Sequence, residues 1–534
     1  MHLGSVKVSL AAVVTGLVAG LLFAGSAYAS NPLQVKTETG KVEGAFTTDQ
    51  QVRAFKGIPY AAPPVGELRW QPPQPATKWK GVRDAKEFGS HCIQSSGYPD
   101  MVFHDPGASE DCLTLNVWTP VKAKKLPVMV WIYGGGFTSG STSENRQDGE
   151  FLAHRGVVIV SMNYRLGIFG FFAHPELTAE SPHHASGNYG LMDQAAAIAW
   201  VKKNIAAFGG DPNNITIFGE SAGSMSVSAQ MASPLAKNLI SKAIGESGGA
   251  LFLNQMGAFP SRETAEKQGV AFAEKAYGTS NLADLRKLSA DEILKGVKAD
   301  KTREGRFWPD VDGYFFPKPV PEIYAAGEQA HVPLLAGTNK DEMRAAVIFA
   351  KPQPTAESFK AMAEKEFGAE APGFLKVYPA ETDAEAVESA GDYASDRFIV
   401  YATWRWLEAQ VKTGDAPVYR YRFDLGSPGD KNHPAAIGAF HSDDIEYVFG
   451  TLDSRPGAVW RPEDRKLSNE MGEYWTNFAK TGDPNAAGLP KWPTYNAADD
   501  WMVMHLDANS EAKPDSQRAR YLFLDSVWGK AGTE

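Results

Sequence analysis

Two five-residue motifs in this sequence each have the form that presents a reactive serine. Gly219–Gly223 reads GESAG and Gly245–Gly249 reads GESGG, so both match the pattern G-x-S-x-G. This pattern places a serine on a sharp turn between a strand and a helix, where its hydroxyl becomes a nucleophile once a neighbouring base accepts its proton. At most one of the two serines can have this role, so the flanking sequence must decide between them.

The segments around the motifs favour the first serine. Ser221 follows NITIF (Asn214–Phe218), a short apolar run typical of a buried strand, and precedes small residues that can form a helix up to Pro234. Ser247 follows a shorter apolar stretch and is itself followed by two glycines, which start a helix poorly. The sequence therefore predicts Ser221 as the nucleophile and a structural role for Ser247.

A serine nucleophile needs a histidine base, and in this kind of fold the base lies C-terminal to the serine. Four histidines qualify: His331 in a loop, His433 in a polar turn, His441, and His505 in a strand-like run. His441 ends an apolar stretch directly before residues that can cap a helix, so it would be held between packed segments. We therefore predict His441 as the base.

The candidates for the acid are two adjacent carboxylates. Asp341 and Glu342 both follow the apolar run Val332–Gly337, which is typical of a buried strand. Loops at the ends of such strands are where functional residues collect in α/β folds. The spacing alone does not choose between Asp341 and Glu342.

A glycine-rich segment is the candidate for stabilising negative charge. YGGGF (Tyr133–Phe137) directly follows an apolar run, and its consecutive glycines leave backbone N–H groups unshielded. A flexible turn is the alternative interpretation. The position of the segment at the end of a predicted core strand, upstream of Ser221, favours an oxyanion hole.

These residues are separated by segments that predict a layered α/β domain. Short apolar runs rich in β-branched residues alternate with at least one long helical pattern, which indicates an open, mostly parallel sheet with helices on its faces. The region from about Leu251 to Pro379 is more helical and richer in loops, as expected of insertions. The predicted elements are strands at Leu126–Tyr133, Gly156–Tyr164, Asn214–Phe218, Val332–Gly337 and Ala416–Asp424, and a helix at Tyr189–Phe208.

The N-terminus has the layout of a secretory signal peptide. Lys7 is the only Lys or Arg in the first 29 residues, an apolar run extends from Val8 to Ala24, and small residues suited to cleavage occupy Ala27–Ala29. An uncleaved membrane anchor is the alternative, since the apolar segment is nearly long enough to span a bilayer. The cleavage-type ending favours a leader at residues 1–29, a single domain at residues 30–534, and a secreted or periplasmic protein.

The composition excludes several classes of function. A hydrophobic content of 43% excludes a disordered chain, and a net charge of −10 without basic runs argues against a nucleic-acid partner. No segment after the leader is long and apolar enough to predict membrane insertion.

The remaining candidates for covalent or metal chemistry are few. The chain has two cysteines, Cys92 and Cys112, and an exported protein with this even count favours one disulfide over two buried thiols. The spacing of these cysteines does not fit zinc. DVDG at Asp310–Gly313 is faintly similar to a calcium loop but lacks the remaining ligands. The sequence therefore predicts neither a metal nor a cofactor.

Taken together, the motifs resemble the type-B carboxylesterase family of α/β-hydrolases over nearly the whole chain, from about Val35 to Phe523. The resemblance implies a two-step hydrolysis of a small-molecule ester by way of an acyl-enzyme. The motifs that carry it, in order, are FKGIPYAAPPVGELRW, EDCLTLNVWTP, WIYGGGF, NYRLGIFGF, GDPNNITIFGESAG, AGTNKDE, FHSDDIEYVFG and NFAKTGDPN.

The resemblance also implies roles for individual residues. It implies Ser221 as the nucleophile, Glu342 as the acid and His441 as the base. It further implies an oxyanion hole formed by Gly135, Gly136 and the backbone of Ala222, and a disulfide between Cys92 and Cys112. Glu220 would be a buried carboxylate paired with Arg165.

Some features depart from the family pattern or stay open. Met343 stands where a glycine is usual, so the loop after Glu342 is expected to pack differently. Aromatic residues, such as Phe137, Phe172, Trp308 and Phe315, are candidates for lining a substrate pocket, although core positions are the alternative. A lactone or amide hydrolase would use the same residues, whereas an adhesion module of this fold would lack a complete triad. The identity of the ester stays open.

Overall fold

The computed structural model describes residues 1–6, 31–95, 97–252, 258–300, 302 and 305–531. Most of the expected leader, including its apolar run and the cleavage junction, lies outside the described residues. Contacts between residues divide the chain into Met1–Pro32 and a compact unit that begins at Leu33. No described helix combines the length and the apolar composition needed to cross a membrane.

A large mixed sheet forms the centre of the second unit. Its strand order is β16-β15-β14-β13-β12-β11-β9-β10-β8-β4-β3, and two small sheets join β1-β2-β5 and β6-β7. The strands are β1 (Gln34–Lys36), β2 (Lys41–Glu43), β3 (Ala45–Phe46), β4 (Val52–Pro59), β5 (Val82–Asp84), β6 (His91–Cys92), β7 (Ala108–Ser109), β8 (Thr114–Pro120), β9 (Leu126–Ile132), β10 (Val158–Met162), β11 (Gly210–Glu220), β12 (Lys242–Glu246), β13 (Leu334–Asn339), β14 (Val418–Phe423), β15 (Met502–Leu506) and β16 (Glu511–Pro514).

The middle of the sheet is parallel and its two edges are antiparallel. From β10 to β15 every neighbouring pair runs parallel, whereas β10–β8, β8–β4, β4–β3 and β15–β16 are antiparallel. The central strands are apolar along their length because helices cover both faces of the sheet; all five residues of β10 are buried. The predicted α/β fold with a mostly parallel centre is confirmed.

The helices follow the strands in the alternating pattern that the sequence predicted. Helix α4 begins at the expected residue and ends at Asn204, followed by a 3-10 turn at Ile205–Phe208. The helices are α1 (Glu150–His154), α2 (Gly167–Phe171), α3 (Pro175–Glu180), α4 (Tyr189–Asn204), α5 (Ala222–Ala232), α6 (Arg262–Tyr277), α7 (Leu282–Lys287), α8 (Ala290–Ala299), α9 (Val320–Ala325), α10 (Arg344–Ile348), α11 (Ala356–Phe367), α12 (Ala371–Val377), α13 (Asp383–Ser395), α14 (Tyr401–Thr413), α15 (Ile445–Phe449), α16 (Pro462–Thr481) and α17 (Arg518–Ala531).

The parallel centre brings distant parts of the chain to one edge of the sheet. Strands β9, β11, β12, β13 and β14 run parallel to one another, so their carboxyl ends share an edge. The glycine segment follows β9, Ser221 follows β11, and Ser247 follows β12. Glu342 lies three residues after β13 and His441 lies in the loop after β14. Functional residues of open α/β sheets collect at this edge.

Candidate active site

Ser221 occupies a strained turn between β11 and α5. Its φ of 56° and ψ of −122° belong to a region that residues other than glycine rarely adopt. The glycines of the motif allow the close packing that holds this turn. A Cβ on Gly223 would lie 1.9 Å from the carbonyl oxygen of Ile132, and one on Gly219 would lie 2.5 Å from the same atom. The two glycines therefore let β11 and α5 pack against the end of β9.

The structure brings Ser221, His441 and Glu342 into one hydrogen-bonded chain. His441 Nε2 lies 2.9 Å from Ser221 Oγ, and His441 Nδ1 lies 2.6 Å from Glu342 Oε2. Because a carboxylate only accepts hydrogen bonds, Nδ1 carries the proton and Nε2 is the acceptor for the serine hydroxyl. Glu342 is buried, whereas the His441 side chain is 24% exposed. This geometry is that of a serine activated by an oriented base.

Of the two adjacent carboxylates, only Glu342 faces the histidine. Asp341 turns the other way, and its Oδ2 accepts a hydrogen bond of 3.2 Å from the backbone N–H of Ala439. A Cβ on Gly438 would lie 2.2 Å from the same oxygen. Asp341 therefore anchors the loop that carries His441. The spacing in the sequence could not show which of the two carboxylates has this role and which faces the histidine.

Ser247 contacts Glu342 and does not line the cavity. Its Oγ donates a hydrogen bond of 2.5 Å to Glu342 Oε1, and the backbone N–H of Asn339 donates to the same oxygen at 2.8 Å. Ser247 is fully buried and, like Ser221, has a positive φ of 53°. The two serines of the G-x-S-x-G motifs thus follow two adjacent parallel strands, but only Ser221 lies at the cavity. Nothing in the sequence indicated that Ser247 would hold Glu342.

The other three histidines are bonded elsewhere. His505 Nδ1 lies 2.6 Å from Asp424 Oδ2, and His331 Nε2 lies 2.9 Å from the carbonyl oxygen of Gly327. His433 stacks on Phe440 with ring centroids 4.3 Å apart, and it lines the same cavity as Ser221. The sequence placed His433 in a polar turn, so its position in the cavity wall was missed.

The glycine segment lies directly against the nucleophile. A Cβ on Gly134 would lie 3.0 Å from Ser221 Cβ. Gly135 and Gly136 have φ values of 101° and 63°, which turn the backbone along the cavity wall. In the described part of the chain, the N–H groups of Gly135, Gly136 and Ala222 donate to no other residue. Three backbone donors therefore border the cavity at Ser221, as an oxyanion hole requires.

Glu220 contacts the histidine and not Arg165, so the expected Glu220–Arg165 pair is wrong. Arg165 instead forms two hydrogen bonds of 2.7 Å with Asp193, through Nε and Nη2. Glu220 Oε1 lies 3.4 Å from His441 Nε2. Residue types and spacing could not show whether Glu220 or Asp193 pairs with Arg165.

This contact affects the protonation of the histidine. Burial lowers the pKa of His441, but the charges of Glu220 and Glu342 outweigh that effect and leave the pKa above its ordinary value. Burial has the opposite effect on the carboxyl of Glu220, because it raises the pKa of that group. The base therefore lies between two carboxylates, one on each ring nitrogen.

The cavity above Ser221 has a volume of about 550 Å³. Most of its wall comes from apolar side chains and from the disulfide-closed loop that contains Tyr98. Two guanidinium groups line it. The Arg146 guanidinium, 11% exposed, is ion-paired with Asp100 at 3.0 Å and Glu144 at 2.8 Å, and the Arg306 guanidinium lies over the Trp308 ring, 4.5 Å from its centroid. The apolar and aromatic side chains of the wall are Tyr98, Pro99, Met101, Ala222, Met225, Phe252, Trp308, Met343, Phe398, Ile399 and Ile445.

The aromatic candidates from the sequence have divergent positions. Trp308 lines the cavity, whereas Phe137 lies behind it with its ring centroid 5.3 Å from that of Trp308. Phe172 packs against Trp70, and Phe315 is fully buried. Of the four candidates, only Trp308 therefore lines the cavity. Phe252 and Phe398 also line it, and they were missed because an isolated aromatic residue carries no positional signal.

Met343, the departure from the family pattern, also lines the cavity. Its backbone N–H donates a hydrogen bond of 3.0 Å to Ser395 Oγ, which ties the loop after Glu342 to α13. The side chain that replaces the usual glycine thus occupies space beside the site.

A disulfide joins Cys92 and Cys112, as the resemblance implied. The Cα atoms are 5.0 Å apart, within the range that a disulfide requires. The loop between them contributes Tyr98–Met101 to the cavity wall. The cross-link therefore closes a segment that shapes the site.

Comparisons with known proteins show the family of this chain. The model of the carboxylesterase family matches residues 31–523. The chain is 37% identical to fumonisin B1 esterase of Sphingopyxis macrogoltabida, over 88% of this chain and 85% of that protein. It is 37% identical to para-nitrobenzyl esterase of Bacillus subtilis (strain 168), over 92% of this chain and 98% of that protein. The solved structure of PNB esterase has a TM-score of 0.79 and 35% identity, covering 92% of this chain and 99% of that one.

The family model covers most of the chain, and these relatives are named as esterases. The chain belongs to the carboxylesterase family and is a carboxylic-ester hydrolase.

Proposed function

We propose that Ser221, His441 and Glu342 carry out this hydrolysis in two acyl-transfer steps. In the first, Ser221 Oγ attacks the ester carbonyl carbon while His441 Nε2 accepts the hydroxyl proton. The N–H groups of Gly135, Gly136 and Ala222 stabilise the oxyanion, and His441 then protonates the leaving alcohol. The observation that carries this assignment is the unbroken chain of hydrogen bonds from Ser221 through His441 to Glu342.

The second step regenerates the enzyme. A water molecule donates a proton to His441 Nε2 and attacks the acyl carbon, and Ser221 leaves with a proton from the same histidine. Glu342 accepts the Nδ1 proton in a hydrogen bond throughout, which keeps Nε2 available and stabilises the imidazolium. Ser247 and Asn339 hold Glu342 in that position.

For the substrate, we propose uncharged esters of moderate size with an aromatic or branched group. The cavity falls within the volume range of small-molecule sites, its wall is mainly apolar, and the Arg146 guanidinium is ion-paired with Asp100 and Glu144. The likeness to para-nitrobenzyl esterase supports the same class.

A substrate matrix tests both proposals. Rates would be measured for para-nitrophenyl and para-nitrobenzyl esters of increasing acyl length, together with lactones and anilides, with Ser221→Ala as the blank. We expect turnover of the short and medium neutral esters and its loss in the Ser221→Ala variant. Retained activity in Ser221→Ala would overturn the nucleophile. Faster turnover of lactones or anilides than of any ester would overturn the substrate class.

We also propose that the chain is exported after removal of the N-terminal leader. The layout of residues 1–29 and a disulfide that is stable in oxidising compartments support this. Sequencing the N-terminus of the protein recovered outside the cytoplasm tests it, with Ser30 as the expected first residue. Recovery of an intact N-terminus in the membrane fraction would favour an anchor instead.

A further inference from the structure

Met343 adds bulk to the cavity wall that the backbone does not dictate. It directly follows the acid Glu342 and lines the cavity. Its φ of −126° lies outside the left-handed region that favours glycine, so the glycine of the family pattern and the methionine of this chain fit the same backbone. The difference between them is therefore the space that the side chain takes from the cavity.

The loop that carries Met343 is fixed to α13. The backbone N–H of Met343 donates to Ser395 Oγ at 3.0 Å, and Ser395, which is buried, donates to the carbonyl oxygen of Gly391 at 2.8 Å. Arg344 forms two hydrogen bonds with Glu388, of 2.6 and 2.9 Å. The two segments also lie close together, because a Cβ on Gly391 would be 3.9 Å from Arg344 Cα. Moving Met343 away from the cavity would therefore break these bonds.

The adjoining part of the wall is a π-helical turn at Asp396–Val400. This geometry is rare and occurs mostly at functional sites. The turn contributes Phe398 and Ile399 to the cavity wall. It is anchored by Asp396, which is buried and accepts a hydrogen bond of 2.7 Å from the Tyr378 hydroxyl. The neighbouring wall is thus held in place as well.

This part of the wall borders the base. The Phe398 ring packs edge-on against the His441 imidazole, with the two centroids 4.9 Å apart. Because Met343 is bonded to Ser395, directly before the π-helical turn, it lies on the same side of the cavity as Phe398. An ester whose carbonyl carbon lies at Ser221 Oγ has one of its two groups on this side. That group therefore meets the wall that Met343 helps to form.

We propose that Met343 sets the upper size limit of the ester group that binds against this wall. The inference rests on the proposed hydrolysis at Ser221 and adds a determinant of selectivity to it. The flexible methionine side chain can adapt to a narrow group, but its backbone is held by Ser395, so a branched group finds too little room. One methylene more or less in an apolar pocket changes kcat/KM by about 10- to 200-fold. Removing the side chain should therefore change selectivity.

Paired esters measure this limit in each half of the substrate. One pair is the para-nitrophenyl esters of butyric and tert-butylacetic acid, and the other is the butyl and neopentyl esters of acetic acid. We expect Met343→Ala to raise kcat/KM for the branched ester relative to the straight one by about tenfold or more in at least one pair. An unchanged ratio in both pairs would overturn the proposal.

The same assay keeps the two proposals apart. Turnover of the straight esters by the wild-type protein, and its loss in Ser221→Ala, would be measured first. Failure at that stage would contradict the hydrolysis itself. Normal turnover with an unchanged ratio in Met343→Ala would contradict only the size limit.

Two further variants separate a size limit from structural damage. Met362→Ala is the matched control, because Met362 is also partly buried but lies on α11 and does not line the cavity. It should keep the wild-type ratio, and a shift as large as that of Met343→Ala would overturn the proposal. Met343→Phe should lower the ratio. If thermal unfolding shows that Met343→Ala does not fold, Met343→Phe decides the question, and an unchanged ratio in that variant would overturn the size limit.

Discussion

Ser247 Oγ lies 2.5 Å from Glu342 Oε1, the carboxylate oxygen that does not face His441. The serine of the second G-x-S-x-G motif therefore positions the acid, while the serine of the first lies at the cavity. Strands β11 and β12 are adjacent and parallel, so both serines emerge at the same sheet edge. This relationship gives the second motif a definite contribution to the site.

Replacing Ser247 by alanine should slow the chemical step without weakening substrate binding. A hydrogen bond to a charged group contributes about 1.5 kcal/mol or more, so we expect kcat to fall about tenfold with little change in KM. Steady-state kinetics would measure this. The control is Ser468→Ala, because Ser468 is also buried but donates to the carbonyl oxygen of Tyr447 instead. Equal kcat values for the two variants would contradict the positioning role.

Alanine at two neighbouring glycines should have unequal effects. A Cβ on Gly135 would lie 2.1 Å from the Ser139 carbonyl oxygen, whereas one on Gly136 would meet nothing nearer than the Tyr98 hydroxyl at 3.4 Å. Loss of an oxyanion donor costs roughly 10²–10³ in kcat, so we expect that loss for Gly135→Ala and less than about tenfold for Gly136→Ala. Thermal unfolding of both variants separates a damaged site from an unfolded protein, and the reverse order of kcat would contradict the geometry.

The acid limb of the pH–rate profile should move when Glu220 is made neutral. His441 accepts a proton only when uncharged, so the rate falls as the pH drops through its pKa. Glu220 is the charged group that most raises this pKa. Glu220→Gln should therefore lower the pKa of His441 and extend activity to lower pH, as measured by kcat/KM. Glu328→Gln, at an exposed site paired with Lys318, is the control and should leave the limb in place. If the acid limb of Glu220→Gln stayed at the wild-type pH, the effect of Glu220 on the pKa of His441 would be contradicted.

Removing the disulfide should affect both stability and binding. The bond closes a loop of sequence separation 20, for which loop-closure entropy gives about 3 kcal/mol of stability. The double variant Cys92→Ser/Cys112→Ser should lose about this much free energy of unfolding in denaturant titration. It should also have a raised KM, because the loop contributes Tyr98–Met101 to the cavity wall. An unchanged KM would show that the loop keeps its shape without the bond.

The sequence predicted the elements of this fold well because the central strands are buried on both faces. Such strands are continuous apolar runs, and β9 and β13 appear within two residues of their predicted bounds. The antiparallel edge strands are short or partly exposed, and they carry weaker patterns. The start of β11 at Gly210 rather than Asn214 reflects polar residues that join the strand at a bulge.

The site was predictable only where a motif coincides with an element boundary. Ser221 and the glycine segment directly follow strong strands, and His441 precedes a capping sequence. Contacts that depend on side-chain direction were not predictable, because a sequence does not show which way a carboxylate side chain points or what it contacts. This applies to the choice of Glu342 over Asp341, to the partner of Glu220 and to the contact of Ser247 with the acid.

The hydrogen-bonded chain at the cavity joins residues 220 positions apart, which emerge from strands β11 and β14. A polypeptide still being synthesised has Ser221 long before it has a base, so it is inert until the segment beyond Phe423 has docked. Recovery of turnover during refolding would therefore report the docking of β14 and of the loop after it, later than any spectroscopic signal from the helices alone.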